Sequence, residues 1–306
     1  MIDVRLETGE DRKATIRQVV EGLGDTFIER VKLAETILIK PNLVHHEIQL
    51  ACTHVDAVRG IIDVIREYSR ARILVGDAGY TGTKSAFRHF GYDRLPEEYN
   101  DIFLVDLNDD EMLPLEIVQA NDEPRLIHRS KIAVDADFSI SVSPMKLHAG
   151  AGVSLSVLNW TLGTMVVPSR ISSYGRVWAR WPWLQKEGSR AYHETILQLF
   201  KQKPCDVAVI DGILAMQGSG PVGGEAVRMG VVLAGFDPVA VDAVACTLMN
   251  IDPQEVGYLF LIDAEGLGTV NMSIINVPPL LVTEQTRSFD RSLDVQETLV
   301  AWRDDK

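Results

Sequence analysis

Five side chains of types that hold or move charge fall just after predicted strands or on an adjoining helix: Lys40, Lys146, His148, His193 and Asp211. A lysine binds carboxylate or phosphate as a point charge, and becomes a base when burial lowers its pKa. A histidine shuttles protons or ligates a metal. The carboxyl ends of parallel strands converge on one crevice, so these groups can meet there. Lys146 would then hold an anion, His148 or His193 would be the acid/base, and Asp211 would orient the imidazole. The bland reading pairs Lys40 with Asp211 as an ion bridge and satisfies the histidines with backbone carbonyls.

The elements that must position these groups are organised around Phe138 to Gly163, FSISVSPMKLHAGAGVSLSVLNWTLG. Phe138, Ile140 and Val142 alternate with serines as a strand, which Pro144 is expected to end because it has no N–H to donate. Lys146 and His148 follow, then Gly150 and Gly152, and a helical spacing through Val153, Leu155, Val157 and Leu158. Strand, glycine loop and helix would present a helix N-terminus to an anion, with Lys146 adding a full charge.

Upstream, Ile2, Val4 and Leu6 alternate as a strand, Arg12 to Leu23 reads as a helix, and TILIK (Thr36 to Lys40) as a buried strand. His54 to Tyr68 is amphipathic and helical, RILVGD is a strand, and Ser85 to Phe90 a helix. IFLVDL and LPLEIV are extended. Downstream come a helix near Ala191 to Phe200, the strand DVAVIDGI, the loop MQGSGPVGGE and the strand VRMGVVLAG. Asp237-Pro238 and Asp252-Pro253 each open a helix as N-cap and N1 proline. This alternation predicts an α/β fold, an open, mostly parallel or mixed sheet with helices on both faces. One domain is expected over residues 1–285, with a peripheral, polar segment at 286–306.

Residues 164–189 break the pattern. They hold Trp178, Trp181 and Trp183 with Arg170, Arg176, Arg180 and Lys186, and Arg190 follows. An irregular Trp/Arg-rich insertion of this length is a functional loop, or a subdomain or homo-oligomer contact.

Composition narrows the function classes. At 306 residues and 46% apolar side chains a core is readily built, and a net charge of −13 argues against a general nucleic-acid surface. Cys52, Cys205 and Cys246 are scattered, which fits reduced, buried thiols and rules out a self-contained Cys₄ cluster. The first residues lack a secretory pattern and no apolar run is long enough for a bilayer, so a cytoplasmic, non-membrane protein is expected. Asp77, Asp211, Asp237 and Asp242 invite a weak magnesium reading, although Asp237 is well explained as an N-cap. GDAGYTGTKS has the wrong spacing for a Walker loop, and GSGPVGG leads into a strand, so it reads as a tight turn or a lid.

Several motifs in order resemble the DUF362 family, bacterial and archaeal proteins of unknown function. They are Lys40-Pro41-Asn42-Leu43, Thr53 before a helix, Lys146-x-His148, Asn159 with Gly163, and Arg190 with His193. Asp211-Gly212, Gly218-x-Gly220-Pro221 with Gly224, and Asp237-x-x-Ala240-x-Asp242-Ala243 complete the series, which spans most of residues 36–268. The resemblance adds Asn42, Thr53, Asn159, Gly218 and Gly220 to Lys40 as ligand-binding candidates. Some members are described as iron–sulfur proteins with ferredoxin-like cysteine runs, which this chain does not have. The family commonly reads Lys-Asn where this chain has Leu158-Asn159. The expected function is binding and turnover of a small anionic metabolite or cofactor in a Lys/His/Asp cleft. A redox or iron–sulfur accessory protein and a dimeric binding module are the alternatives, and the cofactor, any metal, the substrate and the reaction stay open.

Overall fold

A computed structural model describes residues 1–118, 124–173, 175–180, 184 and 188–303. Trp181, Trp183 and Lys186 lie outside the described residues. In chain order the strands are β1 (Ile2–Thr8), β2 (Thr36–Pro41), β3 (Arg72–Asp77), β4 (Ile102–Asp106) and β5 (Met112–Val118). Next come β6 (Pro124–Ser130), β7 (Phe138–His148), β8 (Gly152–Ser154), β9 (Met165–Val166) and β10 (Arg170–Ser172). The last are β11 (Gly175–Val177), β12 (Val207–Ser219), β13 (Gly223–Val227), β14 (Val231–Gly235) and β15 (Ile275–Asn276).

Among the described residues one sheet holds ten of these strands, side by side as β15-β1-β14-β12-β7-β2-β3-β4, with β13 on β12 and β8 on β7. β12, β7, β2, β3 and β4 run parallel, and β14 antiparallel to both β12 and β1. From β2 the chain moves outward through β3 to β4, then returns to the other flank of β2 as β7. The strand order therefore reverses between β2 and β7. Connections leave that point in opposite directions and open a crevice beyond the strand ends.

Alternate residues of the central strands face two cores. Ile37, Ile39, Ile140, Val142 and Val209 pack with the helices Arg12–Glu21 and Val55–Tyr68 on one side. Ala208, Ile210 and Leu233 face the helices Ser189–Gln202, Pro238–Leu248 and Gly257–Ala264 on the other. Each fully buried Val, Leu or Ile contributes roughly 1.5–3 kcal/mol relative to exposure. Among the described residues no helix is long and apolar enough to cross a membrane.

Several local expectations are corrected. β7 continues past Pro144 to His148, although its regular ladders do end there: pairing with β2 stops at Val142 and the register with β12 shifts between Pro144 and Lys146. Val142 turns its carbonyl toward the β2 flank, where Thr53 Oγ1 donates to it. Pro144, two residues on, has the same backbone orientation, but the β2 register ends at Val142, so its missing N–H is not called for. The residues after Gly152 form β8 before the helix Ser156–Leu162 begins, because Lys146 to His148 pair back on Gly152 to Ser154. MQGSGPVGGE extends β12 and closes a hairpin with β13. The chain also carries a helix at Asp25–Leu33, and Asp252-Pro253 opens a single 3₁₀ turn before the helix Gly257–Ala264.

The insertion is less irregular than its sequence suggests: β9 joins β5 and β6 in a second sheet, and β10 and β11 form a hairpin. Part of the described C-terminal segment packs against the body of the protein. In the helix Leu293–Ala301, Val295 and Leu299 are buried, and Trp302 beyond it is 2% exposed. Spacing of four and three residues puts these three on one helical face.

Candidate functional site

The carboxyl ends of β2, β3 and β7 supply Lys40, Asn42, Asp77, Lys146 and His148 to a cavity of about 340 Å³ at the switch point. Lys40 lies opposite Ser141 in the β2–β7 register, so both face the helix Ser156–Leu162. Its Nζ lies 2.6 Å from Asp77 Oδ1 and donates to Asn159 Oδ1 at 2.5 Å and Pro41 O at 2.9 Å. Two hydrogen bonds and one ion pair thus surround this ammonium. Burial pushes this ammonium down in pKa, opposed by the adjoining Asp77 carboxylate. Asp77 is held in turn by the Leu43 N–H, 2.6 Å from Oδ2. Asn159 is equally committed, its Nδ2 donating to Ser141 Oγ at 3.0 Å and to the carbonyls of Lys40 and Val142. Gly163 makes the arrangement possible: a Cβ there would sit 2.2 Å from Lys40 Nζ.

Lys146 is placed differently. It is fully buried, and among the described residues its Nζ has a single acceptor, the Ala51 carbonyl at 2.6 Å. Burial lowers its pKa to about 8, against weaker pulls from the Cys52 and Asp77 side chains. His148 accepts the Gly150 N–H on Nδ1 at 3.0 Å, which puts the proton of the neutral ring on Nε2. Burial and the nearby Lys146 charge lower its pKa to about 3, so the ring is neutral at ordinary pH.

The insertion adds Arg180 to the wall. Its guanidinium donates to the carbonyls of Met165 and Trp178 and, at 3.3 Å, to Asn108 Oδ1. Burial lowers its pKa to about 10, still far above neutrality. The cavity thus meets three basic side chains, Lys40, Lys146 and Arg180, and one carboxylate, Asp77. Among the described residues Asp77 makes its ion pair with Lys40, and neither Lys146 nor Arg180 has a carboxylate at salt-bridge distance.

The remaining candidates sit elsewhere. Asp211 receives the Arg12 guanidinium at 2.7 Å and the Ile213 N–H at 3.1 Å, so among the described residues its hydrogen bonds go to neither Lys40 nor His193, and the imidazole near it is that of His54. Burial raises the Asp211 carboxyl, with Arg12 pulling the other way. His193 lies beneath the wall: its neighbour Tyr192 lines the cavity, while its own ring packs against Gly257, Tyr258 and Trp302. Its Nδ1 accepts the Tyr258 N–H, its Nε2 is buried without a protein partner, and burial lowers its pKa to about 3. Thr53 ties strand ends together, accepting the Asn42 N–H and donating to Val142 O. Gly218 and Gly220 belong to the β12–β13 hairpin, whose tip residues Pro221 and Val222 reach the cavity. A Cβ on Gly220 would lie 1.8 Å from Leu147 O, so only glycine allows this approach.

Asp242, considered above as a metal ligand, has another task. It accepts the N–H groups of Ser156 and Val157 at 2.9 and 3.0 Å, together with the Ser156 hydroxyl. A carboxylate from the helix Pro238–Leu248 therefore already occupies the N-terminus of the helix Ser156–Leu162, and no anion has access to that end. Burial raises the Asp242 pKa to about 7. Among the described residues no group of three or more His, Cys, Asp and Glu side chains is placed to hold a metal ion. The three cysteines are buried, and burial raises Cys52 to about 12.

Sequence reasoning did not pair Asp77 with Lys40 and did not assign Tyr80, Tyr192 or Arg180 to the site. Asp77 had a usable signal as the last residue of a predicted parallel strand beside β2. Arg180 had none beyond its charge, because no periodicity fixes the direction of the segment that carries it.

A family model described as "Domain of unknown function (DUF362)" matches residues 37–247. The thylakoid-associated protein sll1697 of Synechocystis sp. is 24% identical over 247 residues, covering 79% of this chain and 71% of that protein. Among solved structures, the lactate racemase apoprotein of Thermoanaerobacterium thermosaccharolyticum aligns with a TM-score of 0.53 at 14% identity, over 82% of this chain. A crystal structure of a protein from Thermotoga maritima gives 0.47 at 11% identity, over 79% of this chain. The chain spans 58% and 60% of those two structures' lengths. The likeness to the racemase apoprotein is one of α/β fold.

Proposed function

The chain belongs to the DUF362 family, and from that premise we propose that it binds a small organic anion at the β2–β7 switch point and exchanges a proton with it through Lys146. The supporting observation is the contrast between two buried lysines: Lys40 is saturated by protein partners, whereas Lys146 lines the cavity with one carbonyl acceptor. An anion restores the solvation that Lys146 lost on burial, and Arg180 adds attraction. At pH 7 an amine with a pKa near 8 is roughly one-tenth neutral in the free protein, and a bound anion shifts it toward the ammonium, so Lys146 meets the ligand chiefly as a proton donor. His148, neutral at this pH, adds a polar ring to the same wall. Asp77, Lys40 and Asn159 fix the strand ends on which these groups stand.

The test is a thermal-shift and native mass spectrometry screen of organic acids on the wild type and Lys146→Met. The expected result is an acid that stabilises and is retained by the wild type but not the variant. Equal effects on both proteins, with the variant folded, would refute the assignment.

A further inference from the structure

The lining of this cavity mixes cations with hydrocarbon. Lys146 comes from the end of β7 and Arg180 from the insertion. Leu158 and Leu162 come from the helix Ser156–Leu162, Leu184 from the insertion, and Val222 from the hairpin tip. A ligand here gains both from carrying a negative charge and from covering hydrocarbon.

We infer that the ligand is an amphiphilic monocarboxylic acid, its carboxylate at Lys146 and Arg180 and its apolar body against Leu158, Leu162, Leu184 and Val222. This rests on the anion-site reading of the cavity and narrows it. Size follows from the cavity volume of about 340 Å³. At about 30 Å³ per water that is room for roughly eleven waters, or an acid of about a dozen non-hydrogen atoms. A carboxylate fits better than a phosphate. Phosphate sites draw on free N–H groups at a helix start, and the helix Ser156–Leu162 offers none from Ser156 or Val157, which Asp242 already holds. A second carboxylate would have to be placed against a lining whose further side chains include Asp77, Leu158, Leu162, Leu184 and Val222, so diacids are disfavoured.

Calorimetric titration of a straight-chain monocarboxylate series from two to ten carbons tests this, with inorganic phosphate, a phosphate monoester and diacids of matched length alongside. The expected result is about a fourfold gain in affinity per methylene until the cavity is full. Diacids and both phosphates should bind at least tenfold more weakly than the matched monoacid. Val222→Asn, at the exposed hairpin tip, and Leu162→Asn should flatten the chain-length dependence while short acids still bind. Lys146→Met should weaken the whole series by at least tenfold. If affinity is independent of chain length yet still lost in Lys146→Met, the anion site stands and the amphiphile inference falls. Tightest binding by a phosphate or a diacid overturns it in the same way. If no acid distinguishes the wild type from Lys146→Met, both readings fall together.

Discussion

Removing the charge of Lys146 should make the ligand-free protein more stable. An ammonium that ordinarily titrates at 10.5 titrates here at about 8, because folding takes it out of water with one carbonyl as partner. A difference of that size corresponds to about 3 kcal/mol against the charged form in the folded state. Lys146→Met keeps most of the side-chain volume and deletes the charge. It also deletes the bond to Ala51 O, about 1 kcal/mol, so the net gain at pH 7 is about 2 kcal/mol. The sign with pH is fixed by linkage. Lysine is charged in both states below pH 8, so the full cost is present there. It declines as pH rises, because the folded protein gives up its proton first, and it is gone above about 10.5, where lysine is neutral in both states. Urea denaturation of both proteins from pH 6.5 to 10.5 measures this. The variant should be more stable near neutrality, and the gap should close through the upper half of that range. A variant less stable than the wild type at pH 7, or a gap independent of pH, would show that the cation is compensated and remove the argument for an anion.

Asp77→Asn takes the countercharge from a fully buried Lys40 and should cost about 3–5 kcal/mol in urea denaturation. A loss under 1 kcal/mol would mean that Asn159 and Pro41 hold Lys40 unaided. Gly163→Ala sets a Cβ 2.2 Å from Lys40 Nζ. It should cost about 1–3 kcal/mol and weaken ligand binding through displaced strand ends, whereas wild-type stability would show that Lys40 has another resting place.

The α/β class could be read from the sequence because strand and helix patterns alternate along the chain and β2 and β3 carry short apolar runs. The positions of Lys40, Lys146 and His148 followed from strand ends and were legible for the same reason. Partner assignments were not. Whether Asp77 or Asp211 meets Lys40 depends on strand order, and the sequence does not reveal that β7 returns to the far flank of β2. Asp242 was misread for a related reason. Its partner helix lies 86 residues away in the chain, and a carboxylate capping a distant helix leaves no local pattern. The insertion hid Arg180 because its strands are two or three residues long, too short for alternation to register.

The insertion of β7 between β2 and β12 bears on how the protein acquires its site during synthesis. Lys40 leaves the ribosome 106 positions ahead of Lys146, its neighbour in the cavity, and the hairpin tip at Val222 comes later still. A nascent chain that already contains β2, β3 and β4 has three paired strands and no receptor. Ligand capture thus requires synthesis to pass Val222, so only chains that have completed the cavity wall are rewarded by binding.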